Sequence, residues 1–224
     1  MDKHLTVVAV DGPAGSGKSS VSREVAVALG LKYIDSGAIY RAITWFLIRR
    51  HGAIRKGQDF SGDLNGVVIT QEFNNDGSCN TFVDNTDVSV DIRTETIAKN
   101  IGKVSDDPGV REFVNGLLRE WARNSSIIMD GRDIGTVVFP DADLKVYLDA
   151  SVDVRAERRY NEYRESGKNV DLNSIKNQII QRDVEDTSRP FGALKTAEDA
   201  VVIDTSSMSK EDVIQALINL IAPL

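Results

Sequence analysis

The sequence predicts an α/β fold, a central five-stranded parallel sheet flanked by helices on both faces, and three observations carry that expectation. Five short segments read as buried strands, at 5–10, 32–35, 126–130, 144–149 and 201–204, and most are followed by apolar residues at helical spacing. The first of them runs directly into Gly12-Pro13-Ala14-Gly15-Ser16-Gly17-Lys18-Ser19, which fits the G-x-x-x-x-G-K-[ST] phosphate-binding pattern at every fixed position. A chain of 224 residues, 41% of them hydrophobic, can hold one such domain with room for small insertions.

Downstream of the glycine-rich loop, Val21, Val25, Ala28 and Leu29 recur at helical spacing, and Gly30 ends the pattern. Strand, loop and helix thus stand in the order that phosphate binding requires. The loop turns backbone N–H groups inward around phosphate oxygens and the new helix presents its positive end. Lys18 reaches the β- and γ-phosphates, and the Ser19 hydroxyl ligates Mg²⁺. A mere glycine-rich connector is the plainer reading; four matched positions with both flanks in place disfavour it. The expectation is a P-loop NTPase fold.

Between about 57 and 91 the alternation breaks. Residues 67–73 and 79–83 are β-like around Asn74-Asn75-Asp76-Gly77, and an Asp-Gly turn between two such runs is a hairpin signal. We read residues 57–93 as a small β-rich insertion in a single domain whose core is 1–56 and 94–224. Asp107 and Pro108 suit the cap and first position of a helix whose apolar face is Val110, Phe113, Val114, Leu117, Leu118 and Trp121. From Leu172, Ile175, Ile179, Ile180 and Val184 repeat the helical pattern. Ser209 with Asp212 opens the last helix, with Val213, Ala216, Leu217, Leu220 and Ile221 as its buried face.

A formal charge of −7 argues against a nonspecific nucleic-acid surface, so polyphosphates must be met by local clusters of cations. The one cysteine, Cys79, excludes an internal disulfide framework and reads as an unreactive strand residue. The first four residues lead into the first strand without an apolar leader region, and no stretch approaches the ~20 residues of a membrane span. A cytoplasmic location is expected.

A phosphate loop identifies a donor site and leaves the acceptor open. Ligands of open α/β sheets bind outside the carboxyl ends of the strands, where three polar motifs fall: Asp35-Ser36-Gly37-Ala38-Ile39-Tyr40-Arg41, Asp130-Gly131-Arg132-Asp133-Ile134-Gly135-Thr136, and Arg182-Asp183-Val184-Glu185-Asp186-Thr187-Ser188-Arg189. They supply Arg41, Arg132, Arg182 and Arg189. Singly, each reads as a solvated charge; at strand ends beside a phosphate loop, they suit phosphate oxygens. Asp130 has two readings of equal weight, an acid holding Mg²⁺ through water or a strand-end cap. His4 and His51 have no convincing catalytic placement.

Through almost its whole length the chain closely resembles the bacterial-type cytidylate kinases, a branch of the nucleoside monophosphate kinases. The likeness rests on Val10-Asp11-Gly12-Pro13, the phosphate loop, the run from Asp35 to Arg41, the β-rich insertion, Asp91-Ile92-Arg93, and 130–141 with Gly131-Arg132-Asp133-Ile134-Gly135-Thr136-Val137-Val138-Phe139-Pro140-Asp141 at its heart. The loop alone is shared with many unrelated enzymes; the last motif together with the insertion is specific.

The resemblance implies transfer of the γ-phosphoryl group of ATP to CMP or dCMP, with Mg²⁺, by a monomer that binds small nucleotides and neither nucleic acid nor membrane. It implies that 57–93 binds the monophosphate, and that Gly12, Pro13, Ala14, Gly15, Ser16, Gly17, Lys18, Ser19 and Ser20 hold ATP, with Ser19 on the metal directly and Asp130 through water. Carried over residue by residue, it puts Ser36, Arg111, Asp133 and Arg189 around the cytosine, Arg41 and Arg132 on the monophosphate, and Arg182 with Asp186 at the sugar. Lys18, Arg132, Arg182 and Asp130 then carry the catalysis. Residues 153–170 are the lid, with Arg155, Arg158 and Arg159 reaching ATP phosphates on closure, whereas Glu157 reads as a solvated helix residue. One departure stands out: a serine of the pattern that helps hold the sugar falls at Gly102, with Ser105 nearby.

The base assignment has a chemical reason. The N4 amine of cytosine donates to a carboxylate, whereas O4 of uracil would meet Asp133 lone pair to lone pair. Among other readings, a kinase of a sugar, shikimate or dephospho-coenzyme A fits four arginines and Asp133 less well. A GTPase switch would carry an Asn-Lys-x-Asp motif, which is absent. A nucleotide sensor without turnover would not need both Lys18 and Ser19.

Overall fold

The computed structural model describes residues 5–74 and 77–224. Successive side chains of a strand point to opposite faces, and in β1 (Val7–Asp11) both faces are buried. Val8 and Val10 belong to the core formed with α1 (Lys18–Leu29) and α7 (Lys210–Ile221). Ala9 belongs to the opposite core, formed with α2 (Ser36–His51), α3 (Glu95–Ser105) and α4 (Pro108–Ala122). Strands β2 (Lys32–Asp35), β6 (Ile127–Gly131), β7 (Leu144–Asp149) and β8 (Val201–Asp204) complete a five-stranded, all-parallel sheet in the order β2-β6-β1-β7-β8. With the phosphate loop leaving the central strand and helices on both faces, this is the P-loop NTPase architecture that the sequence predicts.

Strands β1 and β6 run one residue past their expected ends at 10 and 130, because Asp11 and Gly131 still pair in the parallel ladder. Asp107 accepts a hydrogen bond from the Val110 N–H, and Ser209 with Asp212 forms a complete capping box. Val110, Val114 and Leu118 are buried, and Trp121 packs against the same core from its edge.

The helical pattern after Leu172 is only half right. In α6 (Leu172–Ser188), Ile175 and Ile179 pack with Ala156 of α5 (Val152–Glu165), while Ile180 and Val184 are 43% and 56% exposed. The apolar cluster of α6 is this small one shared with α5, so only a narrow stripe is covered. Ala28 of α1 is likewise exposed, and Ala26 takes the buried place.

The insertion forms an antiparallel sheet of β3 (Ile69–Phe73), β4 (Cys79–Val83) and β5 (Thr86–Asp87). Asn75 and Asp76 of the expected turn lie outside the described residues; around them Phe73 pairs with Cys79, and Gly77 donates to the Asn74 carbonyl at 2.9 Å. Phe60, Leu64, Ile69, Val83, Val88 and Ile92 join the same core as α2, and the Gln71 amide donates to the Asp35 carbonyl at 3.0 Å. Among the described residues, no helix is long and apolar enough to cross a membrane.

Candidate active site

The site lies at the carboxyl ends of β1, β6 and β2, where the sheet hands its chain to loops. Gly12 leaves β1 with φ +150°, and a Cβ there would collide with the Leu148 carbonyl, so only glycine lets the loop start this close to β7. Gly17 caps α1 without a side-chain acceptor, which leaves the first N–H groups of the helix to other partners. Lys18 is 5% exposed; its Nζ donates to the Pro13 carbonyl at 2.7 Å and lies 3.3 Å from Ser16 Oγ, which itself donates to Pro13 at 3.1 Å. Burial, then Arg132, pushes its amine down to about 7. Ser20 donates back to the Gly17 carbonyl at 2.9 Å.

Asp130, at the end of β6, is held on both oxygens: Ser19 Oγ donates to Oδ2 at 2.7 Å and the Tyr33 hydroxyl to Oδ1 at 2.6 Å. Its backbone carbonyl accepts from Ser36 Oγ, also at 2.6 Å. Tyr33 is a contact the sequence reading missed, since a tyrosine inside a short buried strand looks like core.

Two charge networks follow. In the first, Arg111 from α4 pairs with Asp133, both nearly buried; the other arm of Arg111 donates to the Ser105 carbonyl at 3.0 Å, and its guanidinium stands 5.8 Å from the Tyr40 ring. Burial outweighs the arginine and raises the Asp133 carboxyl above its ordinary value. Gly192, at φ +60°, lies directly against this pair, and a Cβ there would overlap the Arg111 guanidinium. In the second, Asp186 is fully buried and faces Arg132 at 2.7 Å, Arg189 at 2.9 Å and Arg182 at 3.1 Å. Burial opposes its ionisation, yet the three guanidinium groups hold its carboxyl below the usual range. Arg189 also meets Asp106 at 3.1 Å. Arg41 stands at the edge of the same crevice, within reach of the fields of Asp35, Arg182, Arg93 and Arg159.

The three arginines expected on a lid separate. Arg155 is 3% exposed and is no free lid cation: it pairs bidentately with Asp183 at 2.6 and 3.0 Å and donates to the carbonyls of Ala14 and Ala150. It braces the phosphate loop through the main chain. Arg158 donates to Thr205 O and Oγ1 at 2.7 and 3.0 Å, and exposed Arg159 meets Glu162 at 3.1 Å. Gly102 faces open space, while Ser105 is buried with its hydroxyl 3.3 Å from the Gly102 carbonyl.

The model of one protein family, described as cytidylate kinase, matches residues 8–223. Curated relatives named cytidylate kinase include one from Streptococcus uberis, 41% identical over 93% of this chain and 92% of its own length. Others come from Streptococcus agalactiae serotype III, at 43% over 92% and 91%, and Shouchella clausii, at 39% over 96% and 95%. Among solved structures, an uncharacterized protein from Eubacterium ventriosum aligns over 98% of this chain and 100% of its own at 12% identity and a TM-score of 0.54. TT1252 from Thermus thermophilus aligns over 99% of both chains at 17% and 0.50. These two bear on the fold alone.

Proposed function

We infer the working of the site from one premise: this chain belongs to the cytidylate kinase family. It is a nucleoside monophosphate kinase that transfers the γ-phosphoryl group of ATP to CMP. Beyond that activity, we propose dCMP as a second acceptor, Mg²⁺ as the metal, 57–93 as the monophosphate-binding subdomain, 153–170 as the lid, and a cytoplasmic monomer. The observation that carries the residue roles is the pair of networks, Arg111–Asp133 and the three arginines on Asp186, beside one phosphate loop.

In this reading Arg41 and Arg132 receive the acceptor phosphate, and Ser36, Arg111, Asp133 and Arg189 surround the cytosine. Asp186 is first the shared counter-ion of the arginines; as the phosphate draws Arg132 away, one of its oxygens turns with Arg182 to the sugar. Lys18 leaves Pro13 for the β- and γ-phosphates, which Gly12 to Ser20 enclose. No protein base is needed, because the attacking phosphate oxygen is already anionic at neutral pH. Catalysis rests on in-line positioning and charge neutralisation by Lys18, Arg132 and Arg182.

The residues fit Mg²⁺. Ser19 Oγ and Asp130 Oδ2 stand together at 2.7 Å, and no cluster of three acidic, histidine or cysteine ligands exists among the described residues. That sparse set suits a cation that keeps its waters and takes its other ligands from phosphates. Bound there, Mg²⁺ neutralises charge on the transferring group.

The test is ADP release with a panel of acceptors, CMP, dCMP, UMP, AMP, GMP and shikimate, run on the natural protein and on Asp133→Asn. CMP and dCMP dominate in the first. In the variant, kcat/KM for CMP falls about 10- to 100-fold while UMP changes far less, because an amide can donate to O4 of uracil. An equal loss for both nucleotides would remove Asp133 from base reading.

The lid assignment carries its own expectation. Arg159 and Glu162 are exposed, and such pairs contribute little stability. Arg159→Ala therefore melts within about 2 °C of the natural protein, while turnover falls roughly tenfold. Arg158→Ala, which also loses the Thr205 contacts, lowers both. Unchanged turnover in Arg159→Ala at saturating ATP would sink the lid role.

A further inference from the structure

We propose that Asp11 is a positioning residue whose carboxylate fixes the acceptor-reading segment, residues 132–135, to the root of the phosphate loop and so holds acceptor and donor in register. The proposal deepens the acceptor assignment above and rests on it.

Asp11 is the last residue of β1 and directly precedes Gly12, where the phosphate loop begins. It is 5% exposed and, among the described residues, faces no arginine or lysine at ion-pair distance; both oxygens instead accept backbone N–H groups, Oδ1 from Ile134 at 2.9 Å and Oδ2 from Gly135 at 2.7 Å. These two residues open the π-helical turn Ile134–Val138. The residue before the turn, Asp133, has φ −141° and ψ 26°, a conformation outside both ladder and helix. The clamp next to Asp133 is therefore a side chain 122 positions away in sequence. Burial pushes the Asp11 carboxyl up to about 6, against the pull of the two N–H groups and Lys18.

The clamp sits between two functions. On one side is the loop that holds the donor. On the other, Asp133 pairs with Arg111 and Arg132 pairs with Asp186. If the turn shifted, both side chains would be re-aimed together, since their backbone is one short segment. Displacements of about 1 Å at such a site are enough to cost orders of magnitude in rate.

Asp11→Asn tests this with the shape preserved. Its amide can accept from one N–H but must present a donor to the other. Calorimetric binding to CMP is expected to weaken about tenfold, ATP binding to stay within about twofold, and the CMP preference over UMP to narrow. Wild-type affinity for CMP in a folded variant overturns the proposal. So does an equal loss for CMP and ATP, which is what a merely structural role predicts. Should Asp11→Asn not fold, Asp11→Ser, which keeps a smaller acceptor, takes the same measurements under the same criteria. Asp133→Asn is measured beside it: if that variant leaves base preference intact, base reading by Asp133 falls, whereas a selective loss of CMP in the Asp11 variant still supports the clamp, acting through Arg132.

Discussion

Lys18→Met is expected to lower turnover by on the order of 10²–10³-fold while the protein still folds. In the ligand-free chain the amine is buried and, among the described residues, bonded only within its own loop, to Pro13 and Ser16, so its removal takes no partner from the rest of that described fold. What is lost is the cation that meets charge developing on the transferring phosphoryl group. The same variant has a pH signature. Burial, then Arg132, moves the Lys18 amine from 10.5 to about 7, so the unfolded chain holds that proton more tightly than the folded one. The ligand-free protein therefore gains stability as pH rises from about 7 towards 10.5, and Lys18→Met flattens that slope. Turnover within a few-fold of the natural enzyme would show that Lys18 is not the phosphate ligand. A melting temperature with the same pH slope in both proteins would contradict the buried amine.

Asp186→Asn is expected to destabilise the ligand-free protein by about 3 kcal/mol, close to the loss for one broken buried ion pair. Three guanidinium groups converge on this carboxylate, which has no exposed surface, and an amide would leave their charges facing one another. In a chain of this size that is a fall of roughly 6–12 °C in melting temperature. CMP should restore more stability to the variant than to the natural protein, because its phosphate brings back the missing anion. An aspartate whose arginines stood away from the acceptor phosphate would not show that rescue. The pH sign differs from that of Lys18: a carboxyl held below its ordinary 3.8 contributes fully above that value and is lost only as the pH falls through the depressed one.

The sequence made the sheet legible, because buried parallel strands are continuous apolar runs and the phosphate loop marks where the first one ends. It also brought Arg111, Arg132, Arg182 and Arg189 to attention, by residue type, position and family pattern. What it did not show is which charges neutralise which. The pairing of Arg111 with Asp133 spans 22 positions and that of Arg132 with Asp186 spans 54, separations at which no periodicity operates. Asp11 and Tyr33 were hidden differently: neither the aspartate closing a buried strand nor the tyrosine inside one shows in the apolar pattern what its polar tip bonds to. Arg155 looked like a mobile surface cation for the opposite reason: its helix is mostly polar, and only the fold reveals that Asp183 and Ala14 stand beside it. Ile180 and Val184 illustrate the limit of periodicity, which marks an apolar face without saying whether anything covers it.

The bracing contact between Arg155 and Ala14 also makes α5 a lever. The helix has 14 residues, about 21 Å, and its first turn is tied to the phosphate loop through the Ala14 carbonyl. A tilt of about ten degrees at that fulcrum carries the far end roughly 4 Å and Arg159, near mid-shaft, about half as far. A shift of the loop that tilted the helix would thus be felt at the tip as a stroke of a side chain's length, and it would have to carry the Arg158 contacts to Thr205 with it.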